Sequence, residues 1–214
     1  MSIPIIIIAY NRLTCLRDLL NRLEFYENVI IVDNNSSYEP LLDFYSNLNR
    51  EIKFLDSNIG HFSPWAAEIV PINSHYIVTD CDVIPDKDCP NDFVDFLLEI
   101  CSSDPSLLKV GLSLRIDNLP DHYSLKSQVI DHESQFWSNK LHPKNGVELY
   151  NSPIDTTFAL YAPNSAPGLV PSVRTGNPYT ATHTPWYTNS NELEDEEIYY
   201  RNSMNKNINN WNKN

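Results

Sequence analysis

The sequence predicts an α/β protein with a mostly parallel central sheet flanked by helices, followed by a smaller mixed and antiparallel part. Three observations predict it. The apolar runs "IPIIIIA", "NVIIVDN" and "HYIVTD" read as strands covered on both faces. Helical patterns alternate with them, and strand–helix–strand order implies parallel strands joined by crossover helices. From residue 108 the pattern changes to short alternating segments separated by turn formers.

The elements follow in order. "IPIIIIA" is the first strand. "LTCLRDLLNRL" places Leu13, Leu16, Leu20 and Leu23 on one helical stripe. "NVIIVDN" is the second strand, and "EPLLDFYSNL" a helix with Pro near its start. "EIKFLD" is the third strand, "FSPWAAEIV" a short helix and "HYIVTD" the fourth strand. "NDFVDFLLEICSS" is a helix capped by Asn91 or Asp92. In "KVGLSLRI", Val110, Leu112, Leu114 and Ile116 alternate onto one face. "HESQFWSNK" is helical, and "VELYNSPIDTTFALYAP" gives two short strands around a turn. "PSVRTGNPYTATHTPWY" is rich in turn formers, "NELEDEEIYYRNSM" is a last helix, and the Asn-rich end is loose. The expected organisation is one domain over 1–205, with halves 1–100 and 101–205 and a loose tail over 206–214.

The chain has 214 residues, is 42% hydrophobic and carries a formal charge of −13. It is too apolar for a disordered chain. Its acidity argues against binding nucleic acid or an anionic membrane, both of which need a basic face. The apolar start is far shorter than the ~20 residues of a membrane span, and it lacks the basic leader of a signal peptide. Cys15, Cys81, Cys89 and Cys101 form no CxxC pair, so reduced thiols and a cytoplasmic location are the default expectation.

Asn11, Asp33, Asp56 and Asp80 fall at or just past expected strand ends, the edge where open α/β sheets bind ligands. There are five glycines and no GxGxxG or GxxxxGK, so a backbone cradle for phosphate is missing. An acidic protein that binds a diphosphate must then find positive charge elsewhere. Mg²⁺ or Mn²⁺ held by carboxylates is the simple solution. In "YIVTDCDVIPD", Asp80 and Asp82 share a face if the strand stays extended, while Cys81 points inward. The alternative is a solvated acidic turn before Pro85.

"IIIIAYNR", "VIIVDNNSS", "SNIGHFSPW" and "YIVTDCDVIPD", in that order over roughly the first ninety residues, resemble a family 2-like glycosyltransferase of the GT-A fold. "IDTTFALY" and "THTPWY" resemble a subgroup of these enzymes and extend the likeness over most of the chain; the narrower expectation is an enzyme encoded by a large algal virus, as the N-terminal domain of a longer protein. The resemblance implies a metal-dependent transfer of a sugar from a nucleotide-sugar donor, a UDP-sugar by preference, to a glycan or glycoprotein acceptor with inversion.

It also implies roles by residue. Ala9, Tyr10, Asn11 and Arg12 border the base and ribose, and Asp33 meets the uracil or ribose edge. A carboxylate can accept from uracil N3–H or from ribose hydroxyls; the alternative for Asp33 is a turn cap beside Asn34, Asn35 and Ser36. Asn58 lines the donor pocket, where Gly60 permits close approach and His61 is an exposed loop histidine or a sugar contact. Trp65 is weighted to the core. Asp80 faces ribose and metal, Asp82 binds the metal, and His183 supplies a further metal or phosphate contact. Arg174 neutralises the leaving diphosphate or forms an ion pair with a neighbouring acid. Asp155 is the first choice of base, with Glu133 and Asp131 in reserve. Trp186 and Tyr187 are candidate acceptor platforms. The short second half and the lack of a membrane segment argue for adding one sugar rather than for processive synthesis. Two other classes compete. A nucleotidyltransferase needs a Gly-rich basic loop, which "AYNRLT" does not offer. A non-catalytic nucleotide-sugar-binding module would keep the donor site and lack the base.

Overall fold

A computed structural model describes residues 2–154, 157–165 and 167–204. Among these, nine strands form one mixed sheet in the order β3-β2-β1-β4-β8-β6-β9-β5, with β7 paired to β9. The chain is an α/β protein with a mixed sheet flanked by helices.

The first half is regular. β1 (Ile5–Ala9), β2 (Val29–Asp33), β3 (Glu51–Phe54) and β4 (Tyr76–Asp80) are mutually parallel. Their run-on apolar sequences follow from burial on both faces. Ile5, Ile7 and Ala9 enter the larger core, where α1 (Leu13–Arg22), α2 (Glu39–Ser46) and α4 (Phe93–Ser103) place their apolar residues. Ile6 and Ile8 turn to a smaller core with Val32, Tyr76, Val78 and Tyr161, against which Trp65 lies. Trp65 follows the core reading: its indole donates to Tyr76 Oη at 3.0 Å. α3 (Ser63–Ala66) is shorter than its apolar run suggested. β3 is the sheet edge and stays largely exposed.

The second half departs from the sequence reading in instructive ways. β6 (Lys109–Leu114) is buried along its whole length, on both faces. Its alternation is one of large against small residues, not apolar against solvated. Gly111 is small because a Cβ there would meet Ile154 Cδ1 at 3.0 Å and Thr157 Cγ2 and Ala159 Cβ at 3.1 Å. Gly111→Ala should therefore destabilise the fold by about 1–3 kcal/mol through overpacking, read as a lower denaturant midpoint at unchanged m-value. α5 (Lys126–Glu133) begins earlier than expected and ends in a 3-10 turn over Ser134–Trp137. β7 (Leu149–Asn151) and β8 (Ala159–Tyr161) do not pair with each other: β7 joins β9, while β8 runs antiparallel between β4 and β6.

The segment rich in turn formers is instead the longest strand, β9 (Ser172–His183). Its Gly-Asn-Pro stretch falls at a register irregularity opposite Leu112 and Ser113 of β6, so the turn residues are absorbed within the ladder. β5 (Val83–Pro85) follows the "DCD" directly and pairs antiparallel with β9 at the sheet's end, where a proline is tolerated. The last helix, α6 (Asp195–Ser203), forms as expected.

Candidate functional site

β1 lies between β2 and β4, so the connections leaving β1 and β4 diverge at the carboxyl ends of these strands. Such a switch point opens a crevice in α/β sheets. Tyr10, Asn11 and Arg12 leave β1 there, and Asp80 ends β4 in register with Ile8. The strand stops at Asp80, and Cys81 and Asp82 form a turn into β5. Strand alternation therefore does not by itself place the two carboxylates together. Cys81 points into the core, as read.

Three elements meet around Asp82. Its Oδ2 stands 3.7 Å from Arg12 Nε, and its Oδ1 3.8 Å from His183 Nε2. The β5–β9 ladder sets the second contact by pairing Val83 with His183. Buried Asp86 fastens that ladder by accepting the hydroxyls of Thr180 at 2.6 Å and Thr182 at 2.5 Å. Thr184 N donates to Asp82 O at 2.9 Å, and its hydroxyl shares a hydrogen bond with the Cys15 thiol. Burial pushes that thiol up to about 11, so Cys15 stays protonated at neutral pH.

Arg12 is buried, and its Nη1 donates to Glu197 Oε2 at 2.9 Å, while Nε has no hydrogen-bond partner. The Tyr200 ring covers its guanidinium at 3.8 Å. Burial acts to lower the guanidinium pKa, but the charges of Asp82 and Glu197 outweigh it and hold the group above its ordinary value.

α6 brings Glu197 and Tyr200 to this edge and is fastened by ring contacts of Tyr199 with Tyr38 and Tyr200 with Tyr10 and by polar contacts. Glu196 accepts from Thr14 N and Oγ1, Tyr199 donates to Ser37 O, and Tyr10 donates to Ser203 O at 2.8 Å. Glu197 is the single residue of the helix that is buried. The sequence reading did not assign it to the site. The signal available was the acid run "ELEDEE", in which nothing marks one carboxylate as buried.

The other expected site residues fall into two groups. Ala9 ends β1 inside the core. Asn11, at φ 49°, accepts from Ser37 N at 2.7 Å and Tyr38 N at 3.0 Å and donates to Ser203 Oγ. Asp33 is buried, with Oδ1 accepting from Ser36 N at 2.7 Å and Oδ2 from Tyr45 Oη at 2.9 Å. That is the turn-cap geometry weighed above. Asn58 Oδ1 accepts from Gly60 N at 3.0 Å, and Gly60 takes φ 76°, which favours glycine. His61 is exposed and lies against Phe62.

Away from the Asp82 cluster, Arg174 lies buried early in β9. It donates to Pro153 O at 2.9 Å and pairs with Glu133 at 3.4 Å, so the ion-pair alternative describes it, though in the interior rather than on the surface. Trp186 is buried against His183 rather than open as a platform, and Tyr187 donates to Asn118. The base candidate Asp155 lies outside the described residues.

Among the described residues no group of three or more His, Cys, Asp and Glu is gathered at metal-holding spacing. The carboxylate of Asp82 and the imidazole of His183, 3.8 Å apart, are donors of the kinds that a divalent ion accepts. Also among the described residues, no helix is long and apolar enough to cross a membrane, and all four cysteines are free thiols.

No protein-family model matches the chain, and no curated protein matches it. Among solved structures it is similar to mannose-6-phosphate isomerase from Helicobacter pylori, at 14% identity and TM-score 0.39, over 57% of this chain and 54% of that one. It is also similar to HddC from Yersinia pseudotuberculosis complexed with GMP-PN, at 15% identity and TM-score 0.38, over 77% and 74% of the two chains. The chain thus spans about half the length of the isomerase. At these identities neither neighbour assigns a role to any residue here.

Proposed function

We propose that this chain is a GT-A type, metal-dependent glycosyltransferase that moves a sugar from a nucleotide-sugar donor, a UDP-sugar by preference, to a hydroxyl of a glycan or glycoprotein, with inversion. The observation that carries the reading is the meeting of Asp82, His183 and Arg12 at the β1–β4 switch point, where α/β sheets take their ligands. Asp80, Asp82 and His183 would hold Mn²⁺ or Mg²⁺, with the donor's phosphates completing the shell. The ion, when bound, supplies charge stabilisation for the departing diphosphate. Arg12 offers beside it an Nε–H that has no hydrogen-bond partner, and Tyr10 and Asn58 line the approach to the edge. Asp155 is the proposed base for the acceptor hydroxyl, and 1–205 the proposed extent of the domain.

A non-catalytic nucleotide-sugar-binding module would keep the same donor site and lack the base. Asn11 and Asp33, which the resemblance gives to the donor, spend their side-chain acceptors on internal bonds, so either reading rests on the Asp82 edge for the donor.

Calorimetric titration of UDP, GDP and dTDP, with Mn²⁺ and with EDTA, tests both. Metal-dependent UDP binding at micromolar to millimolar Kd is expected. No binding of any nucleotide under either condition sinks both readings. Tight binding without hydrolysis or transfer to any acceptor favours the module.

A further inference from the structure

The three charges at the switch point are unevenly matched. Arg12 could be the salt-bridge partner of Asp82, which would consume the carboxylate that a cation needs. The distances divide the guanidinium between two acids: it bonds Glu197 at 2.9 Å and keeps a longer ion pair with Asp82 at 3.7 Å, beyond hydrogen-bond reach. Its buried Nε is left without a hydrogen bond, and Tyr200 fixes the plane of the group from one face. Glu197 is in turn bonded by Arg201 Nε at 2.7 Å, from a side chain that is partly open to solvent.

We propose that Glu197 is a positioning residue that captures and neutralises Arg12, so that Asp82 keeps its charge for a divalent cation. This rests on the metal-dependent reading above and adds a role for the last helix, which the metal ligands do not use. The electrostatics set the sign. Asp82, Arg12 and Glu197 together carry one net negative charge and, without the Glu197 charge, none; Arg201 meets Glu197 from its partly solvent-exposed side, where water screens its charge. An unbalanced guanidinium beside Asp82 opposes a cation through a medium of low effective dielectric. The test is calorimetric titration of Mn²⁺ alone into the full chain as wild type, Glu197→Gln, Arg12→Gln, the double variant Arg12→Gln/Glu197→Gln, and Asp82→Ala. Thermal melts confirm folding, and Glu197→Asp replaces Glu197→Gln as the conservative control.

Glu197→Gln should weaken Mn²⁺ binding on the order of tenfold. Glu197→Asp should restore most of that loss. The double variant should return to within about threefold of wild type, because the net charge beside Asp82 is again negative. Removing both halves of a buried ion pair can also relieve a structural defect, so the thermal melts must show the single variant folded as wild type while its Mn²⁺ affinity falls. Unchanged Mn²⁺ affinity in Glu197→Gln, or a double variant as weak as the single, overturns the inference while leaving the metal site standing. Wild-type affinity in Asp82→Ala, or no Mn²⁺ binding by wild type with or without UDP, removes the metal reading and the inference with it.

Discussion

Asp82→Ala should leave the protein folded and abolish metal-dependent nucleotide binding. Folding should survive because the carboxylate makes no close bond: its two nearest cationic groups stand 3.7 and 3.8 Å away. The backbone carbonyl of residue 82, which receives Thr184 N, remains in the variant. Arg12 keeps Glu197 as its partner, so no buried charge is orphaned. A stability loss of about 1–2 kcal/mol is expected, because the pair is largely buried but long and Arg12 keeps a second partner. Binding is a different matter. With Asp82 removed, the cation loses the carboxylate nearest His183 and keeps Asp80 and His183 only, and UDP affinity in Mn²⁺ should fall at least about a hundredfold. Residual binding in EDTA should be the same for variant and wild type. A variant that binds UDP–Mn²⁺ as tightly as wild type would show the "DCD" to be a solvated turn.

How much of this was legible beforehand depends on how local the cause is. β1, β2 and β4 are written in continuous apolar runs because helices or loops cover both faces, and that cause sits within the strand itself. α1 is written in its leucines, with Leu16, Leu20 and Leu23 buried as expected and Leu19 added by the width of the stripe. β9 was misread because its Gly, Asn and Pro are local turn signals, whereas its strand state comes from β6, β5 and β7 together. No property of residues 172–183 alone reports those neighbours. β5 was missed for the same reason, since Pro85 reads as a stop and is accepted only at the sheet's end.

The site divides along the same line. That "DCD" falls at a strand tip was legible, because a strand end is written in the local sequence. That His183 would face Asp82 follows from the β5–β9 register, a distant pairing. That Glu197 would own Arg12 follows from where α6 docks, 185 residues further on than the loop it covers begins to form. Asp33 shows the converse limit. The sequence offered a nucleoside contact or a turn cap, and only the positions of Ser36 and Tyr45 display the cap.

Arg174 gives the second large effect, in stability rather than in binding. A residue that neutralises a leaving diphosphate must reach the ligand edge, and its loss would lower nucleotide affinity without unfolding the chain. The guanidinium instead lies buried against Phe136 at 4.2 Å, donates to Pro153 O and pairs with Glu133, itself buried. Removing either partner takes an interior ion pair from the other. Arg174→Met and Glu133→Leu should each cost about 3–5 kcal/mol, a large share of the roughly 5–15 kcal/mol that holds a domain folded. The melting temperature should fall on the order of 10 °C. The double variant Arg174→Met/Glu133→Leu removes both charges at similar volume and should recover most of the loss, since apolar replacement of a complete buried pair is often neutral. Thermal melts of the single and double variants decide it. A single variant that melts with wild type and loses UDP affinity would return Arg174 to the donor site. A double variant no better than the worse single would mean that the pair holds the β7–β9 region by hydrogen bonding to the backbone, with Pro153 O as the partner that cannot be replaced.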